Sequence, residues 1–99
     1  MDVKSGNITT ATTTTVFNGP GRILGVSWVQ PYNVAAGTIT LLDNSTTLAV
    51  VDVPRTNDSD DGDSKSVSGS IMFPGRGFRC ETSIVCTNAV TTHVTVYYN

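Results

Sequence analysis

His93 is the only histidine in this chain of 99 residues, which leaves few ways to build a catalytic site. Nucleophiles and general bases work as positioned pairs, and neither the carboxylates nor the serines show a spacing that specifies such a pair. Cysteine and histidine ligands for a metal are also few, since the chain contains only Cys80 and Cys86 besides His93. The sequence therefore predicts a protein that is not an enzyme, uses no cofactor and holds no metal.

Cys80 and Cys86 flank the segment 81–85, and their state depends on whether that segment turns back. In a hairpin the two thiols could form a disulfide, whereas in one continuous strand they would lie about 20 Å apart. The N-terminus shows no basic region followed by an apolar one, so we expect no secretory signal and reduced thiols. Two buried free cysteines are the favoured interpretation, with a disulfide or a metal site as the alternatives.

Residues 57–63 read Asn-Asp-Ser-Asp-Asp-Gly-Asp, a sequence that invites comparison with calcium-binding loops. With Gly62 at position six of the twelve-residue template, Ser68 stands where a bidentate glutamate is needed. No helices are predicted on either side. We interpret the segment as a solvated loop, with a calcium site or a contact to a basic partner as the alternatives.

Four aromatic residues could offer a platform for a sugar ring: Trp28, Tyr32, Tyr97 and Tyr98. Trp28 and Tyr98 share the spacing of apolar residues in their strands, which favours a place in the core. Carbohydrate binding therefore remains an interpretation for Tyr32 or Tyr97. Tyr97 could equally lie in a subunit interface, where tyrosine is enriched.

The closing run, residues 90–99, is the strongest strand signal, because β-branched and aromatic residues alternate strictly along it. Its even-numbered residues are predicted to face the core. Its odd-numbered residues should face outward, since successive side chains of a strand point to opposite faces. This outward face is one candidate interaction surface.

The threonine-rich segment from Ile8 to Phe17 is predicted to form an edge strand, preceded by a possible N-terminal arm over residues 1–7. Threonine lies on both faces, so burial specifies its register only weakly. Such an edge can pair with a neighbouring chain or simply remain solvated. We expect the arm and this strand to supply β-pairing between chains.

In the rest of the chain, apolar and polar residues alternate in the same manner within segments that are separated by glycine- and proline-containing turns. Leu24, Val26 and Trp28 should share an inward face, as should Ile39 and Leu41. The apolar run 48–53 is typical of a central strand covered on both faces. No window shows helical periodicity. We therefore predict one all-β domain over residues 1–99, a two-sheet β-sandwich of seven or eight short antiparallel strands.

Charge and hydropathy exclude several classes of partner. Charged residues make up 14% of the chain, the net charge is -2, and the six cationic residues are scattered. Nucleic-acid binding needs a clustered basic surface, so none is expected. No apolar run approaches the roughly 18 residues of a membrane span, and no membrane association is expected.

Four segments resemble a family of small virion proteins of tailed bacteriophages. They are Gly21-Arg22-Ile23-Leu24-Gly25-Val26, Ala36-Gly37-Thr38-Ile39-Thr40-Leu41-Leu42-Asp43, Phe73-Pro74-Gly75-Arg76-Gly77-Phe78 and Val94-Thr95-Val96-Tyr97-Tyr98. The resemblance covers residues 18–99. It implies a β-sandwich, often a jelly roll, that decorates a capsid as a homotrimer, binds between major capsid subunits and has no catalytic residues.

This resemblance and the strand patterns together predict a head-decoration (cement) protein, made in the bacterial host cytoplasm and placed on the capsid exterior. A tail or adhesin module that binds host glycan is the alternative. The predicted interface residues are Ile8, Thr10, Thr12, Thr14 and Val16 on the first surface, and Thr91, His93, Thr95 and Tyr97 on the second.

Overall fold

The protein consists of strands and connecting turns, without a helix, over the residues that a computed structural model describes: 3–8, 12–30, 35–56, 67–88 and 92–99. The strands in this part of the chain are β1 (Lys4–Ile8), β2 (Thr13–Phe17), β3 (Gly21–Gln30), β4 (Gly37–Asp43), β5 (Thr46–Val53), β6 (Val67–Met72), β7 (Phe78–Cys80), β8 (Ile84–Asn88) and β9 (His93–Tyr98). The all-β prediction is confirmed, with more strands than expected.

The strands form two antiparallel sheets. Sheet I has the order β1-β9-β3-β6, with β7 also paired to β3, and sheet II has the order β2-β8-β4-β5. β6 pairs with residues 25–30 of β3 and β7 with residues 21–23, so β6 and β7 are successive halves of one interrupted strand. When β6 and β7 are counted as one strand, β1 pairs with β9, β2 with β8, β3 with β6–β7, and β4 with β5. This is the strand arrangement of a jelly roll, and the predicted two-sheet sandwich is confirmed.

The core lies between the two sheets and is built mainly from aliphatic side chains. Ile23, Ile39, Leu41 and Ile84 are completely buried. The inward orientation predicted for Ile39 and Leu41 is confirmed, since β4 alternates regularly between the core and the outer face of sheet II. Burying a side chain of this size stabilises the fold by about 1.5–3 kcal/mol.

The alternation predicted for β3 is wrong at its start because β3 contains a bulge. The register with β9 shifts between Ile23 and Gly25, and the extra residue moves Leu24 away from the core. Ile23 and Val26 are therefore both fully buried, although they are three residues apart, while Leu24 is only half-buried. Trp28 does pack against the core, but it is also half-buried rather than enclosed.

β5 is not the central strand that its apolar sequence predicts. Among the residues that the structure describes, it pairs only with β4 and forms an edge of sheet II. Val51 and Val53 face the core, whereas Val50 on the opposite face is 56% exposed. Apolar runs do not distinguish a strand covered on both faces from an edge strand that exposes one of them.

The N-terminal prediction also needs correction, because residues 1–7 do not form an arm throughout. Lys4–Ile8 forms β1 in sheet I, paired with β9, and Thr13–Phe17 forms β2 in sheet II, paired with β8. The single edge strand expected from Ile8 to Phe17 is thus two strands in different sheets. Local composition indicated extended structure correctly but could not show that the chain crosses from one sheet to the other.

The corner between β6 and β7 depends on glycine. Gly77 donates its backbone N–H to the carbonyl oxygen of Pro74 over 3.2 Å. Its φ angle is 72°, and a Cβ atom there would lie 2.1 Å from the carbonyl oxygen of Ile23. This corner therefore rests directly on the backbone of the β3 bulge.

Candidate interaction surface

His93, Thr95 and Tyr97 lie on the outward face of β9, as predicted, and β9 lies in the middle of sheet I between β1 and β3. Val94 and Val96 are buried, with 1% and 0% of their surface exposed. His93 is exposed to solvent. Thr95 and Tyr97 are half-buried. The strict alternation of this strand therefore separates a core face from a polar outer face.

Hydrogen bonds join this polar face across three strands. The Tyr97 and Ser27 hydroxyl groups lie 3.1 Å apart, linking β9 to β3. The Thr95 hydroxyl donates to Asn7 Oδ1 over 2.6 Å, linking β9 to β1. Each bond fixes the rotamer of an outward side chain, so the face offers its remaining polar atoms from defined positions.

An open groove of about 490 Å³ crosses this face between β9, β3 and β6. We call it the serine groove, and it is lined by Ser27, Trp28, Val29, Ser68, Gly69, Ser70, His93 and Thr95. Its polar groups are hydroxyls and one imidazole, with no carboxylate, lysine or arginine among them. Such a lining can donate and accept hydrogen bonds with a neutral polar partner.

Gly69 allows β6 to close against β3 beside the groove. Its strand partner is Trp28, and a Cβ atom at Gly69 would lie 2.5 Å from Cζ2 of the indole. Only a residue without a side chain leaves room for the indole at this point. Strand composition alone marks Gly69 as a weak strand former and gives no sign of this contact.

A buried polar cluster holds the start of β9, directly before His93. The Thr92 hydroxyl donates to Gln30 Oε1, Asn88 Nδ2 donates to the Thr92 carbonyl oxygen, and Gln30 Nε2 donates to the Ala35 carbonyl oxygen over 2.8 Å. Gln30 and Thr92 are completely buried. Buried polar groups of this kind must be hydrogen-bonded, and the cluster thereby sets where β9 begins.

The first predicted surface is largely turned inward. Ile8 is 4% exposed within the core, and Val16 packs against the core from β2. Thr14 is half-buried opposite the buried Cys86, while Thr12 is exposed. Thr10 lies outside the described residues, as do Thr91 of the second surface, Tyr32 and the acidic loop 57–63. The side chains of Ile8 and Val16 are therefore not available to a partner.

What remains open on that side is the backbone of the two edge strands. Within the described residues β1 pairs only with β9 and β2 only with β8. Edge strands of this kind present unpaired N–H and C=O groups to a neighbouring chain. β-Pairing between chains at β1 and β2 stays a prediction, now through main-chain atoms.

The two thiols are free and fully buried in the core. Burial raises the pKa of Cys86 to about 12, and burial together with the Asp43 carboxylate raises the pKa of Cys80 to about 11. Both thiols therefore stay protonated at neutral pH, which makes them poor nucleophiles. The favoured interpretation of two buried free cysteines agrees with this arrangement.

Asp43 has a structural role at the opposite end of the sandwich from Gln30. Its carboxylate accepts backbone N–H groups of Glu81, Thr82 and Ser83 at 2.9, 3.0 and 3.3 Å. These bonds hold the pKa of Asp43 below its ordinary value of 3.8. The carboxylate thus ties the end of β4 to the turn between β7 and β8.

Comparison with known proteins adds no assignment: neither a scan of protein-family models nor a search of curated proteins found a match to this chain. In the part of the chain that the structure describes, no group of three or more His, Cys, Asp or Glu residues is placed to hold a metal ion. No helix among these residues is long and apolar enough to cross a membrane.

Sequence reasoning identified His93, Thr95 and Tyr97 but missed the residues that face them. Ser27, Ser68 and Ser70 come from β3 and β6, which are distant in sequence from β9 and adjacent in space. A serine on the polar face of a strand looks like any solvated residue until the neighbouring strand is known.

Proposed function

We propose that this protein is a structural virion protein that decorates and stabilises a bacteriophage capsid. It acts as an oligomer, for which the resemblance implies a homotrimer, and it binds between major capsid subunits on the exterior of the head. The serine groove and the adjacent outer face of β9 contact the shell. The protein performs no chemistry there.

The observation that carries this proposal is a two-sheet sandwich with a polar, hydrogen-bonded outer face next to strand edges that are open among the described residues. The Tyr97–Ser27 and Thr95–Asn7 hydrogen bonds hold these side chains in place, so their remaining polar atoms can bind a partner without long charged side chains having to be ordered. Hydroxyl side chains lose little conformational freedom on binding. Many identical weak contacts around a symmetric shell then add up to strong attachment.

Quantitative mass spectrometry of purified virions tests the location. Hundreds of copies per particle are expected for a protein of the head. A few copies per particle would place the protein in the tail, and its absence from particles would refute a structural role.

A matched pair of variants tests the surface. Ser70→Arg places a long cation in the serine groove, whereas Thr15→Arg places the same side chain on the outer face of sheet II; both positions are exposed. Cosedimentation with capsids that lack the protein should show at least tenfold weaker binding for Ser70→Arg and unchanged binding for Thr15→Arg. Equal binding by both variants would exclude the serine groove as the contact.

Glycan binding by a tail or adhesin module is the second candidate function, and the groove lining favours it. Hydroxyls and an imidazole beside Trp28 match the hydrogen-bonding groups of a neutral sugar. A glycan array probed with the wild-type protein and with Ser70→Arg distinguishes the two functions. Retention of a glycan by the wild type alone would favour the adhesin.

A further inference from the structure

β5 has the composition of an inner strand and the position of an edge strand. Residues 48–53 are apolar except for Asp52, and such runs are typical of central strands whose two faces are both covered. Yet among the described residues β5 pairs only with β4. Val50 is 56% exposed in the middle of the strand, and Asp52 beside it is exposed.

The other edges carry features that oppose pairing, and β5 largely lacks them. β1 contains Lys4 and Gly6, β6 contains Gly69, and the register of β2 is interrupted near Val16. β5 has a register shift near Leu48, but from residue 49 to residue 53 it pairs regularly with β4. This stretch contains no lysine, glycine or proline. It is therefore the edge best suited to accept a further strand.

We infer that β5, through its regular stretch 49–53, pairs antiparallel with β5 of a second copy of this chain. Every second residue of an edge strand directs its N–H and C=O groups outward, and this row is a template for pairing with another strand. A two-fold axis through this contact joins the two copies of sheet II into one continuous sheet. The contact involves β5 alone and leaves the serine groove and the β1–β2 side open.

The charge pattern is compatible with pairing between identical strands. A two-fold axis at Val50 places Asp52 opposite Leu48, and an axis at Val51 places Asp52 opposite Val50. In both registers the two Asp52 carboxylates are kept apart, so no like charges oppose each other. The exposed Val50 side chains meet across the axis or lie next to it, which buries apolar surface now in contact with water.

A contact built on one pair of strands belongs to the small, weak interfaces, well under roughly 1,200 Å² in total. It is therefore expected to form reversibly in solution, with a dissociation constant in the range of about 10 µM to 1 mM. This inference goes beyond the capsid role and does not depend on it. The contact doubles whatever unit is present, so it links two monomers or two trimers.

Sedimentation velocity over a concentration series, without capsids, tests the contact. Val50→Glu places like charges opposite each other in both registers, because its carboxylate faces position 50 of the second copy when the axis lies at Val50 and Asp52 of the second copy when the axis lies at Val51. Met72→Glu is the matched control, because Met72 is 65% exposed on the edge strand β6. The wild type and Met72→Glu should associate alike. Val50→Glu should associate at least tenfold more weakly. Wild-type protein that does not associate at about 1 mM, or equal weakening by both variants, would overturn the inference.

Hydrogen exchange of the wild-type protein gives a second readout that needs no variant. Amide protection in residues 49–53 should rise with protein concentration, while protection in β6 should not. Unchanged protection in residues 49–53 would also overturn the inference. Since both measurements are made without a capsid, failure here leaves the capsid role standing, and failure to bind capsids leaves this contact standing.

Discussion

Alanine at Gly77 should destabilise this protein far more than alanine at Gly75, two residues away. Both glycines have left-handed backbone angles, with φ values of 72° and 65°, and a side chain in that region costs about 1–2 kcal/mol. Nothing lies within 4 Å of a Cβ atom at Gly75, so Gly75→Ala should lose only that amount. At Gly77 the new Cβ atom would lie 2.1 Å from the carbonyl oxygen of Ile23. Moving the corner off the β3 bulge adds a packing cost of about 1–3 kcal/mol.

The expected loss for Gly77→Ala is therefore about 2–5 kcal/mol, a large part of the roughly 5–15 kcal/mol that stabilises a small domain. Urea unfolding followed by the fluorescence of Trp28, the only tryptophan, measures both variants against the wild type. Thermal unfolding should show a decrease in Tm of about 4–8 °C for each kcal/mol lost. Equal losses for the two variants would refute the claim that the corner rests on the β3 backbone.

Three further predictions concern the Asp43 carboxylate, the core and the thiols. The wild type gains stability from the ionised Asp43 carboxylate above about pH 4 and loses it as the pH falls through the depressed pKa of Asp43. Asp43→Asn should remove this gain. Plots of Tm against pH for the wild type and the variant, from about pH 6 to pH 2, should therefore converge at the acid end. Curves that stay parallel would contradict this. Leu41→Ala should cost about 2–5 kcal/mol in urea unfolding, because Leu41 is fully buried; a loss below about 1 kcal/mol would mean that this part of the core is loosely packed. Cys80 and Cys86 should resist a thiol reagent at about pH 8 in the native protein and react in urea, since both thiols are buried with pKa values of about 11 and about 12; rapid native labelling would show that the core opens.

Much of the fold could be predicted because side-chain alternation records which face of a strand is buried. β4 and β9 alternate without interruption, and the sequence predicts their inward residues correctly. The sequence also predicts β3 as a strand, but with the wrong inward residue at its start. The bulge at Leu24 depends on how β3 pairs with β9, more than 60 residues later in the chain, and no local pattern records that pairing.

For the same reason, only the part of the candidate surface that belongs to β9 could be predicted. His93, Thr95 and Tyr97 belong to one strand and share one face by periodicity alone. Ser27 and Ser70 join them because β9, β3 and β6 are neighbours in sheet I. Ile8 was assigned to an interface because its neighbours are threonines, but pairing with Val94 turns its side chain into the core.

Alternating β-branched residues and well-placed glycines were sufficient to specify an all-β chain, most of its strands and its tight corners. These are local properties of adjacent residues. The order of strands in the two sheets, the division of residues 4–17 between them and the edge position of β5 were decided by long-range pairing. The local sequence around an apolar residue such as Val50 does not show whether its strand is an inner strand or an edge strand. Only the presence or absence of a neighbouring strand distinguishes the two.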